Sequence, residues 1–173
     1  PMALNIRNAG YELHVYARRA ESMQPLADAG AIPSDSPAAV AQAADVVFIM
    51  VSDTPDVESV LFGELGVASA AKAGQIVVDM STISPVNTRD MAARLAALDI
   101  DMLDAPVSGG EVGAIAGTLS IMVGGNAAVF ARVQPLFGVM GGNIVHIGDH
   151  GCGQVAKACN QITVAGAIAA VAE

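Results

Sequence analysis

Ten residues near the end of the chain hold its densest chemistry: Gly151-Cys152-Gly153-Gln154-Val155-Ala156-Lys157-Ala158-Cys159-Asn160. Two glycines open a long apolar helical pattern that runs from Gln154 to Glu173. Lys157 falls in its first turns, and Asn160, three residues on, shares its side of the helix. The positive end of a helix dipole prefers anions, so a lysine there is electrostatically misplaced. Such a residue is a catalytic amine, a basic group awaiting an anion, or a solvated surface lysine.

The chain has 173 residues, enough for one domain with a sizeable core. Hydrophobic residues make up 53% and aromatics only 3%, so Ala, Val, Ile, Leu and Met must build that core. The net charge of -9 argues against nucleic-acid or acidic-membrane partners, which need a basic face. Cys152 and Cys159 lie on one predicted helix, poorly placed to bridge each other, and their use fits a reducing cytoplasm. Neither a Cys/His metal cluster nor a signal peptide is expected from the residues given. The apolar run from Ile162 to Ala172, taken only as far as the given residues go, is too short to span a bilayer, and the helical pattern is still running where they stop.

The elements that must position Lys157 alternate strand and helix. Strands are predicted at 11–16, 45–51, 74–80, 101–105, 119–125 and 143–147, with helices at 1–8, 20–29, 37–43, 56–62, 67–72, 86–97, 111–116, 127–137 and 154–173. Ser36-Pro37 and Ser84-Pro85 are helix starts. Pro25 disturbs the helix around it, and Gly10 and Gly30 end theirs. The alternation predicts an α/β fold with a doubly wound, Rossmann-type, mostly parallel sheet. Ligands of such sheets gather at the C-terminal strand ends. Those ends carry Arg18-Arg19, Val51-Ser52-Asp53, Ser81-Thr82 and Ser108-Gly109-Gly110. Ser-Gly-Gly can present backbone N–H groups to a carboxylate or phosphate. For a dinucleotide, arginine at the second strand end favours NADP, because an acid there would favour NAD. His14, His146 and His150 are read as structural or exposed.

Four stretches together carry a resemblance: Pro1-Met2-Ala3-Leu4-Asn5, Asp79-Met80-Ser81-Thr82-Ile83-Ser84-Pro85, Asp104-Ala105-Pro106-Val107-Ser108-Gly109-Gly110, and Gly151 to Gln161. In this order they resemble the signatures of the β-hydroxyacid dehydrogenase family. The D-A-P-V-S-G-G run and the G-x-G-x-x-x-K-x-x-N pattern are the specific ones. Gly117-Thr118-Leu119 and Asn160-Gln161-Ile162 are most similar to the tartronate semialdehyde reductase branch.

The resemblance implies an NAD(P)-dependent oxidoreductase that reduces a short semialdehyde acid or oxidises the matching 3-hydroxyacid. It implies Lys157 and Asn160 as catalytic, and Ser108, Gly109 and Gly110 as holders of the substrate carboxylate. Arg18, Val51, Ser52 and Thr82 would bind the cofactor, NADP or alternatively NAD. The chain departs from the family at Val51-Ser52, where Leu-Pro is usual, and at Ala17, where Asn often precedes the arginine.

The family further implies a first strand and Gly-rich turn before Pro1, and a helical domain after residue 173. Residues 1–150 would then be a dinucleotide-binding domain and 151–173 the start of an interdomain helix. The missing strand would lie between those at 11–16 and 45–51, so the chain alone is expected to be unstable and inactive. The full-length protein is expected to be a cytoplasmic homo-oligomer acting on a small acid, with no membrane or nucleic-acid partner. A non-catalytic nucleotide-binding module of the same fold is the competing reading.

Overall fold

The computed structural model describes residues 1–172; Glu173, the expected helix end, lies outside the described residues. In chain order the elements are α1 (Met2–Asn8), β1 (His14–Val15), α2 (Gln24–Asp28), β2 (Ile32–Pro33), α3 (Pro37–Ala43), β3 (Val46–Ile49), α4 (Thr54–Phe62), β4 (Ile76–Asp79), α5 (Pro85–Ala96), β5 (Asp101–Asp104), β6 (Val107–Ser108), α6 (Gly110–Ala116), β7 (Leu119–Gly125), α7 (Ala127–Gly138), β8 (Gly141–Gly148) and α8 (Cys152–Ala172).

Strands β3, β4 and β5 pair in parallel. β5 and β6 lie end to end along β7, both antiparallel to it, and Pro106 between them accepts a hydrogen bond from the Met122 amide at 3.0 Å. β8 closes the far side, parallel to β7. The sheet is thus mostly parallel with one reversal. The reversal follows from the short link between β6 and β7, where the seven-residue α6 is too brief for a parallel crossover. β1 and β2 pair in parallel as a separate two-stranded sheet.

Alternating side chains bury both faces of the larger sheet. Every residue of β4 is buried, with Ile76 and Val78 in one core and Val77 in the other. Val129, Val133 and Phe137 of α7 cover the first face, joined by Ile6 of α1. Ala41 of α3, Val57 and Leu61 of α4, and Met91 and Leu95 of α5 cover the second. This is the doubly wound arrangement expected from the strand–helix alternation.

Two predicted helices are shorter than their sequence pattern. Residues 20–29 divide into a 3-10 turn at Ala20–Met23 and α2, because Pro25 fits only within the first turn of a new helix. Residues 67–72 form only a 3-10 turn, Val67–Ser69, with the Ser69 hydroxyl donating back to the Gly66 carbonyl at 2.7 Å. Four helices are capped by the residue just before them: Ser36, Asp53, Ser84 and Asn126.

Candidate active site

Helix α8 is capped from elsewhere in the fold. Asp104, the last residue of β5, is fully buried. One of its carboxylate oxygens accepts from the Gly151 amide at 2.8 Å and the other from the Gln154 amide at 3.0 Å. A carboxylate is well placed here, because the first N–H groups of a helix lack internal partners and carry the positive end of its dipole. Gly153 makes the approach possible. A Cβ there would collide with the Met122 carbonyl and lie 2.9 Å from the Asp104 carbonyl. Gly151, at φ +84°, would place a Cβ 2.9 Å from the Pro85 carbonyl on α5. The two glycines seen in the sequence therefore let the start of α8 sit directly on β5, β7 and α5.

One turn into α8, Gln154 is 2% exposed and both ends of its amide are used. Its Oε1 accepts from the Ile83 amide at 3.1 Å, and its Nε2 donates to the Ser81 carbonyl at 2.8 Å. Ser81 and Ile83 are buried while Thr82 between them is exposed on the rim. The Ser81 hydroxyl in turn accepts from the Val51 amide at 3.0 Å. A continuous hydrogen-bonded path thus runs from the end of β3, through the end of β4, to the start of α8.

Lys157 lies on the turn after Gln154 and is only 8% exposed. Burial pushes its amine below the ordinary lysine value. Among the described residues no carboxylate pairs with it. Asn160, half-buried, donates to Gln161 Oε1 at 3.2 Å. Ser108 ends β6 half-buried, and Gly109 (φ +132°) and Gly110 (φ +60°) turn the chain into α6. Those dihedrals exclude ordinary side chains and keep the turn open.

Val51, half-buried, and Ser52, exposed, follow β3. The helix start at Ser84 is tied to this loop by its amide, which donates to the Thr54 hydroxyl at 3.3 Å. Arg18 follows the separate β1 and pairs with Asp56 of α4 at 3.2 Å, its side chain 74% exposed. The structure therefore links Val51, the Ser81–Ile83 turn that carries Thr82, and Gln154 one turn before Lys157 by hydrogen bonds, sets Ser108 to Gly110 on the strand running on from β5, and leaves Arg18 at the edge on a surface ion pair. The histidines are occupied structurally: His146 and His150 bond the Gly125 and Met102 carbonyls at 2.7 and 3.0 Å, and His14 pairs with Glu12.

Reading the sequence missed Asp79, Asp104 and Gln154. Asp79, fully buried at the end of β4, accepts from the Ser81 amide at 3.0 Å, and its second oxygen has no partner. Burial, with the neighbouring Asp104 charge adding to it and Ser81 opposing it, raises its pKa from 3.8 to about 6. The available signal was two acids each closing an apolar strand, since a buried carboxylate demands donors.

Among the described residues no group of His, Cys, Asp and Glu is disposed to hold a metal. By length and composition α8 could cross a membrane. Its first turns are pinned into the α/β domain, however.

Comparison with known proteins agrees with this fold. Residues 1–148 match the model of the NAD binding domain of 6-phosphogluconate dehydrogenase. The chain is 51% identical over 177 residues to 2-hydroxy-3-oxopropionate reductase of Escherichia coli, covering all of this chain and 59% of that protein. Mycobacterium tuberculosis 3-hydroxyisobutyrate dehydrogenase, solved with L-serine, superposes with a TM-score of 0.90 at 34% identity, over 95% of this chain and 56% of that one. A chain solved in complex with NADP+ gives a TM-score of 0.92 at 28% identity, over 99% of this chain and 62% of that one. The chain thus spans about three-fifths of the length of the relatives it matches. With its motifs, its fold and the match over residues 1–148 in agreement, the chain belongs to the family of NAD binding domains typified by 6-phosphogluconate dehydrogenase, alongside the hydroxyacid dehydrogenases its sequence resembles.

Proposed function

We propose that the full-length protein is an NADP-dependent reductase that converts tartronate semialdehyde to D-glycerate and can run the matching 3-hydroxyacid oxidation in reverse. The observation that carries this reading is Lys157: a lysine only 8% exposed, its pKa lowered by burial, paired with no carboxylate among the described residues, on a helix anchored to the strand-end rim. The reductase relative favours this substrate. The 3-hydroxyisobutyrate dehydrogenase neighbour makes that acid the main alternative, with 4-hydroxybutyrate as another.

The residues present fit a dinucleotide. Arg18 has an exposed guanidinium whose donors suit an adenosine 2′-phosphate. Exposed Thr82 and the Val51-Ser52 loop offer short side chains and backbone to the nicotinamide half. A bound nicotinamide supplies the hydride for reduction and accepts it in oxidation.

Ser108 and the Gly109-Gly110 turn hold the substrate carboxylate, orienting the aldehyde. Negative charge develops on the aldehyde oxygen as its carbon is reduced. The Lys157 ammonium stabilises that charge and delivers the proton, leaving a neutral amine. In the reverse direction the neutral amine takes the alcohol proton, which a lowered pKa favours. Asn160 orients the amine or the substrate.

Residues 1–150 form the dinucleotide-binding unit and 151–173 begin the link to the rest of the protein, consistent with the family match ending at residue 148. The free thiols of Cys152 and Cys159 fit a cytoplasmic enzyme, and the exposed apolar residues Ile162, Ile168 and Val171 of α8 fit a homo-oligomer.

In the full-length protein, Lys157→Ala is expected to lower kcat by about 10²- to 10⁴-fold while leaving the NADP dissociation constant nearly unchanged. Near-normal turnover in that variant would refute the assignment. NADPH oxidation with tartronate semialdehyde and related oxo acids identifies the substrate.

A further inference from the structure

We infer that Gln154 is a positioning residue for the proton transfer: its buried amide clamps the turn carrying Thr82 to the helix turn carrying Lys157. The inference rests on the roles proposed above for Lys157 and Thr82.

Gln154 precedes Lys157 by three residues, so the two side chains leave the same side of α8. Its two side-chain bonds reach the residues immediately before and after Thr82. Both bonds are buried, so water does not compete for them. Among the described residues, these are the side-chain bonds that tie α8 to the turn after β4. The Asp104 cap holds α8 at its end, on the β5 side. The Gln154 clamp adds a second polar attachment, on the β4 side. The amide suits the task because it donates and accepts at once, matching one carbonyl and one N–H two residues apart. An apolar side chain of equal length would leave the Ser81 carbonyl and the Ile83 amide without these partners.

Proton transfer depends steeply on the distance between donor and acceptor, so a small pivot of α8 lowers kcat more than it changes binding. The substrate carboxylate is proposed to sit at Ser108 to Gly110, outside the clamp.

The test uses the full-length enzyme with NADPH and tartronate semialdehyde. Gln154→Met is expected to lower kcat about 10- to 100-fold with KM for the acid within about twofold. It is also expected to raise the solvent deuterium isotope effect on kcat, because proton delivery becomes more limiting. A purely structural role would lower the active fraction and leave that isotope effect unchanged. A folded Gln154→Met enzyme with normal kcat, or with reduced kcat and an unaltered isotope effect, overturns the inference. If Gln154→Met fails to fold, Gln154→Glu is read the same way; it keeps the acceptor for Ile83 but opposes an oxygen to the Ser81 carbonyl. Lys157→Ala run in parallel separates the two claims. Normal turnover there removes the proposed function and this inference with it. Loss of turnover there beside a normal Gln154 variant removes the inference alone.

Discussion

The Lys157 end and the Arg18 end of the rim are held in place by different physics. At the first, Asp104, Gln154 and Ser81 are buried, and every bond among them that crosses between elements joins residues at least 30 positions apart. At the second, an arginine three residues past a two-residue strand meets one aspartate on the surface. Buried polar networks are rigid because a half-broken network leaves desolvated groups unpaired. Exposed ion pairs compete with water and cost little to break. The difference matches what each end is proposed to do. A proton must be delivered over a fixed short distance, whereas an adenosine phosphate needs only a nearby positive charge.

Substitutions at the two ends should therefore differ in kind. The largest stability effect is expected at the helix cap. Asp104→Ala removes two charge-assisted bonds and leaves the Gly151 and Gln154 amides buried without an acceptor, which should destabilise the full-length protein by about 3–5 kcal/mol. Denaturant titration reads this directly, and a loss below about 1 kcal/mol would mean that the cap is replaceable.

A smaller, pH-dependent effect is expected at Asp79. Its folded pKa of about 6 exceeds the ordinary 3.8, so folding takes up a proton between those values. The stability linked to this group is full below pH 4 and is lost as pH rises through about 6, amounting at most to about 3 kcal/mol. Asp79→Asn should then raise the melting temperature at pH 8 and converge on the parent near pH 4. Equal melting temperatures at both pH values would show that the carboxyl is not carrying the burial cost.

The smallest stability effect belongs to the other end of the rim. Arg18→Ala should change stability by less than about 1 kcal/mol. Its consequence should appear in cofactor choice instead, with KM for NADPH rising about tenfold and KM for NADH nearly unmoved. Equal losses for both cofactors would mean that Arg18 does not face a 2′-phosphate.

The fold was legible where local chemistry is unambiguous. Ser36-Pro37 and Ser84-Pro85 announce helix starts, and the apolar run through Val46–Ile49 announces a strand buried on both faces. The reading failed where a tight turn competed with a helix, as at residues 20–29 and 67–72. It also passed over the antiparallel turn-back of β7, which depends on how little chain lies between Ser108 and Leu119. Of the candidate site, Lys157, Asn160, Ser108 and Thr82 stood out through their motifs. Gln154 sat inside the same motif without drawing notice, since a glutamine in a helix is ordinary until its partners are known.

The sequence by itself determined the alternation of strand and helix, the glycines that open α8 and the lysine three residues beyond Gln154, because spacing and backbone freedom are local properties. Only the tertiary structure decided what anchors that helix. Its first N–H groups find their acceptor in Asp104, 47 and 50 positions earlier, and its glutamine finds Ser81 and Ile83 more than 70 positions earlier. Buried donors must be satisfied, but which acceptor satisfies them depends on how distant strands and helices pack together.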